Sequence, residues 1–459
     1  MKEKANFSSK VGLVAATVGS AVGLGNVWRF PAEAQAGGGA AFLLVYIACV
    51  FLLGIPVMVS EFALGRGGRS DAVGVFRKLA PGTNWWITGS LALLASYCIL
   101  CFYMVVAGWT LEYLIQSITG SLYSTVEIAE TVDTEGWRNL FGERMHEYIQ
   151  EPIGPLVNTY AMIVVNLVVL MLGVRKGIER ISNILMPVLF VLLIIFCCVA
   201  LSLPAAGEGL KFFFDPDFSK LTPKVIIDAL GQAFFSLSLG MGILITYSSY
   251  FPRDTKLTRT ATIVSSLDLL VAVMMGIIIF PTLMSFGLDN ESVEGTTLVF
   301  VTLPEVFVHM PLTQLWSTLF FLLLTVAALT STISISEVAI AFFEERFSMK
   351  RLNACLAVLT PLFLFSSVCS LSLGPLSGTT LWGMNFFDLL DTFATNILLP
   401  VVAVLTCIYL GWKAPRKFMK DELTNNGTLK SRAYPAIMFI IKWIAPILIM
   451  LILFSPLFW

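Results

Sequence analysis

Charge is what this sequence most lacks. Only 13% of its 459 residues are Asp, Glu, Lys or Arg, while 57% are hydrophobic, and the mean hydropathy is +0.84. Soluble domains carry about 25% charged and about 45–50% apolar residues, so a soluble enzyme of this length could not clothe its surface. The net charge of −1 offers no basic field to nucleic acid, and a chain this apolar is not disordered. Histidine is almost absent: His146 and His309 fall in or near the connections between apolar runs, which leaves no His-rich metal site. Cys49, Cys98, Cys101, Cys197, Cys198, Cys355, Cys369 and Cys407 lie in apolar stretches. The C-x-x-C of Cys98 and Cys101 sits inside LLASYCILCFYMVV, without the polar surroundings a redox or metal centre needs, and reads as small buried residues. MKEKANFSSK leads into a glycine-broken segment with no A-x-A cleavage pattern in the first 30 residues, so no removable signal peptide is expected.

Long apolar runs are abundant. A membrane helix takes about 20 apolar residues, and such runs predict eleven spans, at 11–35, 40–64, 87–118, 156–173, 181–203, 225–250, 260–286, 314–343, 352–373, 384–411 and 435–459. The expected fold is an all-α polytopic membrane protein. Lys and Arg concentrate in alternate connections: the N-terminus and loops 65–86, 174–180, 251–259, 344–351 and 412–434 hold 22 of the 29 basic residues, which marks that side as cytoplasmic. Segment 119–155 carries seven acidic residues and two basic ones, as an outer loop should. An inside N-terminus and eleven spans place the C-terminus outside.

Two spans are interrupted by glycine in the same manner. The first reads VGSAVGLGN, with Gly19, Gly23 and Gly25, and the sixth reads SLSLGMG, with Gly240 and Gly242. Glycine inside a helix costs about 1 kcal/mol relative to alanine. The interruptions lie five spans apart, an odd number, so a repeat of spans 1–5 as 6–10 has inverted topology. Corresponding broken helices in inverted halves point to a solute site at the bilayer midplane. The chain therefore reads as one transporter domain over 1–459: a first repeat at 11–203, a second at 225–411, and span 11 at 435–459. Unwinding in lipid frees backbone groups at several kcal/mol each, unless carbonyls hold a cation and a half-helix N-terminus faces a carboxylate. Ser20, Asn26, Ser236 and Ser238 add hard oxygen donors at the breaks, which suit a small hard cation rather than zinc or copper. Thr330, Ser331 and Thr332 add hydroxyls in span 8, although such side chains also bond back to their own helix.

The segments GSAVGLGNVWRFP (19–31), GQAFFSLSLGMGILITYSSY (231–250) and AALTSTISISEVAIAFFEE (327–345) resemble the neurotransmitter:sodium symporter family, and the resemblance runs over nearly the whole chain. It is strongest to bacterial eleven-span members that carry hydrophobic amino acids. That family is the type example of the inverted-repeat arrangement, the LeuT-type 5+5 fold. The resemblance implies two sodium sites. Ala21, Asn26, Ser236 and Asp268 would form the first, and Gly19, Val22, Ala327, Thr330 and Ser331 the second. It implies a substrate carboxylate on the first sodium, the Gly25 backbone and the Tyr103 hydroxyl, with the ammonium on carbonyls of Ala21, Phe235 and Ser236 and the Ser238 hydroxyl. Ile99, Tyr103, Phe235, Met241, Ser331 and Ile335 would line the side-chain pocket. Gly23 stands where amine-transporting relatives place an Asp, which favours substrates that bring their own carboxylate.

The same resemblance assigns gates. Arg29, a charge costing about 2.5–3.5 kcal/mol inside a span on insertion scales, matches the outer gate with Asp391 as its water-bridged partner. Lys4, Phe7, Tyr250 and Glu345 match the inner gate. The family usually has Arg and Trp at the first two positions, so Lys4 and Phe7 imply a looser latch without the arginine fork. Gly177 and Pro187 reproduce the G-x9-P spacing with which the family unwinds span 5, and a plain proline kink would explain the same letters.

Asp268 is the departure that matters. In IVSSLDLLVAVMMGIIIFP, anchoring on Gly276 and Phe280 puts it where the family commonly has a sodium-ligating Asn. A carboxylate at mid-span is costly and functional by default. Chloride-dependent relatives balance sodium with an anion beside residues matched here by Tyr46, Gln232 and Ser236; Asp268 would supply that charge covalently. It could also take a proton once sodium leaves. The expected activity is sodium-coupled import of hydrophobic or aromatic amino acids across a bacterial inner membrane, with no chloride requirement and no enzymatic step. The expected partners are the amino acid and the lipid bilayer, with no nucleic acid and no obligate protein. An amino-acid-selective channel, or a carrier of another small zwitterion, is the alternative. A membrane enzyme would need a nucleophile with its base or a motif such as H-E-x-x-H, which the spans lack.

Overall fold

A computed structural model describes residues 6–124, 134–288 and 295–455. Among them, nine helices are long and apolar enough to cross a membrane, and Lys10–Ala21 with Gly25–Ala36 makes a tenth as a pair bent by 54°. The nine are Ala40–Gly68, Trp86–Thr119, Gly154–Met171, Val174–Leu201, Leu257–Ser285, Thr313–Arg346, Arg351–Leu373, Phe386–Lys413 and Tyr434–Phe454. They coincide with expected spans 2–5 and 7–11 to within a few residues at most ends, because the apolar runs that bury or face lipid are the helices. The sixth stretch is divided into Pro223–Ser236 and Ile243–Ser248. Spans 1 and 6 are thus the two broken ones.

Local chemistry explains both breaks. The first helix starts at Ser9, whose side chain accepts a bond from the Gly12 N–H and so satisfies one of the orphan donors of the first turn. It stops where Val22 turns extended, at φ −72° and ψ 107°, and resumes as a wide π-type turn over Gly25–Arg29, a form often found at functional sites. Span 6 begins on a Thr222 cap with Pro223 in its first turn, a position where proline's missing N–H costs nothing. Its helix cannot pass 237–242, because Ser238, Gly240 and Gly242 have φ of 55°, 78° and 73°, a region that L side chains disfavour.

Span 1 sits against spans 5, 7 and 8; spans 3 and 8 run along each other; span 2 packs on both halves of span 6; and span 10 carries span 11. This arrangement encloses both breaks. Val22, Leu24, Leu237 and Leu239 are wholly buried, so the irregular backbone is sheathed in protein, the condition under which it is tolerated at membrane depth. Lipid-facing positions such as Leu52, Ile194, Leu364 and Ile447 are exposed apolar residues on the outer helices.

Candidate functional site

The two breaks touch. Ser238 donates its hydroxyl to the Ser20 carbonyl at 2.8 Å, and Gln232 donates its amide to the Gly25 carbonyl at 2.9 Å. The Gly240 N–H, freed by the break, donates to Glu61 of span 2 at 2.8 Å. Glycine is required at 240 twice over, since a Cβ there would also stand 2.6 Å from the Leu399 carbonyl oxygen. Glu61 carries no signal in the sequence reading above, yet it pins the unwound stretch of span 6.

Beside the contact lies Asp268, fully buried. The Asn26 amide donates to its Oδ1 at 2.8 Å and to Ser236 Oγ at 2.9 Å. Ser236 lies 2.9 Å from both carboxylate oxygens, and the Tyr46 hydroxyl reaches Oδ2 at 3.4 Å. Asn26 Oδ1 in turn accepts from the Gly23 N–H at 3.1 Å. Every partner of Asp268 is neutral, and no lysine or arginine among the described residues pairs with it. A buried carboxylate without a counter-charge is costly; the Asp268 and Ser236 oxygens here are hard donors of the kind that suit a small hard cation, while Asn26 turns its amide nitrogen to them and its oxygen to Gly23. Structure and sequence agree in bringing Asn26, Ser236 and Asp268 together, and Ala21 is buried at the end of the adjoining helix.

Spans 1, 3 and 8 close tightly beside this cluster. A Cβ placed on Gly23 would stand 2.5 Å from Ser331 Oγ and 2.9 Å from the Tyr103 hydroxyl, and one on Gly25 would stand 3.0 Å from the Phe235 ring. Glycine, tyrosine and serine from spans 1, 3 and 8 therefore converge. The Tyr103 hydroxyl accepts from the Leu24 N–H at 3.0 Å, which leaves its own proton to donate. Ile99, Met241 and Ile335 are buried, and Phe235 is partly buried.

Of the second expected set, the structure brings Gly19 and Thr330 together across spans 1 and 8. A Cβ on Gly19 would lie 3.4 Å from Thr330 Cβ, and ψ of 107° at Val22 turns its carbonyl off the helical direction. Thr330 donates to the Ala327 carbonyl at 3.0 Å, and Ser331 is buried one residue on.

The residues expected as gates fall into two separate groups. Arg29 lies over the Phe235 ring at 4.8 Å and 3.8 Å from Glu33; no direct ion pair joins it to Asp391, whose carbonyl accepts from Thr395 at 2.8 Å. Phe7 is buried edge-on against Tyr247 and Tyr250 at 6.0 and 6.1 Å, and its N–H donates to the Tyr250 carbonyl at 3.1 Å. Lys4 lies outside the described residues. Glu345 accepts from the Ser70 hydroxyl at 2.6 Å and the Asp71 N–H at 3.1 Å. The Tyr250 hydroxyl goes instead to Glu337 at 2.7 Å, and Glu337 pairs with Arg351 at 2.5 Å. Nothing in the sequence pattern pairs the buried Glu337 with the partly exposed Arg351, although a carboxylate inside span 8 is open to the same reasoning as Asp268. In span 5 a π-type turn covers Val174–Glu179, and the α-helix then runs unbroken through Pro187.

Comparison with known proteins gives this geometry its context. The family model described as Sodium:neurotransmitter symporter family matches residues 4–135 and 128–458. The chain belongs to this family. The symporter is 35% identical over 446 residues to the sodium-dependent transporter YhdH of Bacillus subtilis, covering 97% of this chain and 96% of that one. It is 30% identical over 445 residues to the sodium-dependent serotonin transporter of Drosophila melanogaster, covering 89% of this chain and 69% of the relative. Among solved structures it is similar to MhsT in complex with L-phenylalanine, at 40% identity and a TM-score of 0.88, covering 99% of this chain and 100% of that one. The symporter is thus a multi-pass membrane transporter of a sodium-dependent family with the LeuT-type fold, and not an enzyme.

Proposed function

We propose that this symporter imports hydrophobic or aromatic amino acids with sodium by alternating access, without chloride, across a bacterial inner membrane. The observation that carries the reading is Asp268: a fully buried carboxylate held only by neutral donors, where two broken helices meet beside Gly23. Sodium there, among Ala21, Asn26, Ser236 and Asp268, balances the charge and presents a cation to the substrate carboxylate. The Gly25 backbone and the Tyr103 proton complete the carboxylate site. The ammonium faces carbonyls of Ala21, Phe235 and Ser236 and the Ser238 oxygen, whose proton is already committed to Ser20. Pairing both charged ends with dipoles and an ion offsets their desolvation. Gly23 leaves no counter-charge for an amine without a carboxylate, and MhsT, the similar structure, holds L-phenylalanine.

In this reading a second sodium lies among Gly19, Val22, Ala327, Thr330 and Ser331, and ties the inner half of span 1 to span 8. Arg29 and Asp391 close above the substrate through water; Lys4, Phe7, Tyr250 and Glu345 close below it. Span 5 unwinds between Gly177 and Pro187 to admit water. The spans number eleven, as repeats 11–203 and 225–411 with 435–459 appended, the N-terminus inside and the C-terminus outside. Each ion drives the substrate only through its different affinity for outward and inward states. The test is scintillation proximity binding of the twenty amino acids with and without sodium, followed by counterflow in proteoliposomes. Sodium-dependent binding of Leu, Phe or Trp with counterflow is expected. Sodium-independent binding, or flux without counterflow as in a channel, refutes the proposal.

A further inference from the structure

Lys442 is the only charged residue in Tyr434–Phe454, the helix of span 11. It lies about 12 Å along that helix from Tyr434, at about 1.5 Å per residue, where a charge facing lipid is costly. Its π-type turn, Ile440–Ile444, packs on the π-type turn Tyr409–Lys413 that ends span 10. Gly411 permits the close approach, since a Cβ there would stand 3.2 Å from Lys442 Cα. The Lys442 ammonium is seated over two rings, 5.3 Å from the centroid of Trp443 and 5.7 Å from that of Trp412. The rings themselves meet edge to face, 5.5 Å apart and inclined by 85°. Trp443 is 51% exposed and Trp412 44%, so the seat opens outward from the bundle rather than into its core.

Aromatic faces attract a cation but accept no strong hydrogen bond. The ammonium carries three donors, and among the described residues none of them finds an acceptor and no carboxylate pairs with Lys442. Its depth says what could answer it. Trp85, at the start of span 3, packs on Tyr409 with ring centroids 5.3 Å apart, and Arg77 lies 5.2 Å over Trp86; such a belt of aromatic and basic side chains marks a membrane–water interface. Trp412 is about one helical turn beyond Tyr409 towards loop 412–434, and Lys442 extends to its level as snorkelling lysines do. The acceptors at that level outside the protein are lipid phosphate and ester oxygens. We infer that Lys442, Trp412 and Trp443 form a headgroup site for one anionic phospholipid, whose phosphate accepts from the ammonium while its chains lie along exposed apolar side chains of span 11 such as Ile447 and Leu451. The surrounding charge selects an anionic lipid: loop 412–434 holds six basic residues and two acidic ones, and one of the two, Glu422, is engaged by Arg66 at 2.7 Å. A choline or ethanolamine headgroup would bring its own cation against that field.

The site stands apart from the sodium-symport reading, and its test needs no transport. Native mass spectrometry is run on the full chain in detergent, titrated with dioleoyl phosphatidylglycerol or with dioleoyl phosphatidylethanolamine. The wild type should retain one phosphatidylglycerol with about tenfold higher affinity than phosphatidylethanolamine, the weight of one charge-assisted hydrogen bond. Lys442→Gln should abolish that preference, Lys442→Arg should keep it, and Lys417→Gln, which removes an exposed loop charge, should leave it unchanged. Trp412→Leu should lower it about threefold with every charge in place, and this variant decides the matter if Lys442→Gln does not fold. Excess inorganic phosphate should not displace the lipid; displacement would assign the seat to a free anion and overturn the lipid site. Equal retention of the two lipids by the wild type also overturns it. So does a loss with Lys417→Gln as large as that with Lys442→Gln, which would make the preference a diffuse property of the loop.

Discussion

Replacing Asp268 with asparagine removes one charge from the middle of the symporter and almost nothing else. The amide keeps an oxygen for the Ser236 hydroxyl, which lies 2.9 Å from each carboxylate oxygen, and the volume is unchanged. The lost attraction can be sized: two unit charges about 4 Å apart interact by about 4 kcal/mol at an effective dielectric constant of about 20. At about 1.4 kcal/mol per decade, that is close to a thousandfold in sodium affinity. A mobile anion beside Tyr46, Gln232 and Ser236 can restore part of it. Wild-type uptake should therefore be unchanged when gluconate replaces chloride, whereas Asp268→Asn should be inactive or work only with chloride. The assay is sodium-titrated uptake into proteoliposomes in each anion. Strong chloride stimulation of the wild type, or a variant whose sodium affinity is unaltered in gluconate, refutes the reasoning.

Removing both span 8 hydroxyls with Thr330→Ala and Ser331→Ala should weaken sodium-dependent uptake by about tenfold or more, since each hydrogen-bonding oxygen lost from a charged partner counts for about 1.5–3 kcal/mol; wild-type sodium dependence would make these hydroxyls structural. Met241→Phe exchanges a flexible buried side chain for a rigid ring and should lower affinity for Trp more than for Leu or Val, so equal losses for all three would remove Met241 from the pocket. Pro187→Ala restores a backbone N–H in the helix Arg180–Leu201; proline inside a helix costs about 3 kcal/mol, so inward opening should slow about tenfold or more with outside binding intact. Binding and transport falling together would indicate a folding defect instead.

The spans were legible because lipid and core make the same demand on composition. Trp86–Thr119 and Thr313–Arg346 differ from 87–118 and 314–343 only where helices run past the apolar run into polar turns. The glycine breaks were legible as interruptions; the positive φ of Gly240 and Gly242 is what the structure adds. Asp268 announced itself as a carboxylate in an apolar span. Long-range polar pairs were not legible. Glu61 meets Gly240 across 179 positions and Arg66 meets Glu422 across 356, and nothing in spacing or periodicity links residues so distant. Glu337 shows the boundary clearly, because its burial could be inferred from its place in span 8, but Arg351 as its partner could not.

Those missed carboxylates share a logic with the one that was found. Glu61 binds the Gly240 N–H in the unwound stretch of span 6, Glu179 the first turn of span 1, and Glu337 the Tyr250 hydroxyl and Arg351. Each is at least 98% buried, and each joins two elements rather than stabilising one. Burying a carboxylate for cohesion alone is poor economy, since well-packed apolar residues of similar volume often serve as well or better. A charged contact differs in being all-or-none: it is strong when its donors are aligned and costly when they are not. That property gives a helix bundle two discrete arrangements instead of a continuum, and discrete arrangements are what an ion must find if its binding is to shift a population. Asp268 differs from the other three in having no cationic or backbone N–H partner within the described protein, which is why it is the member of the set whose partner is expected to travel.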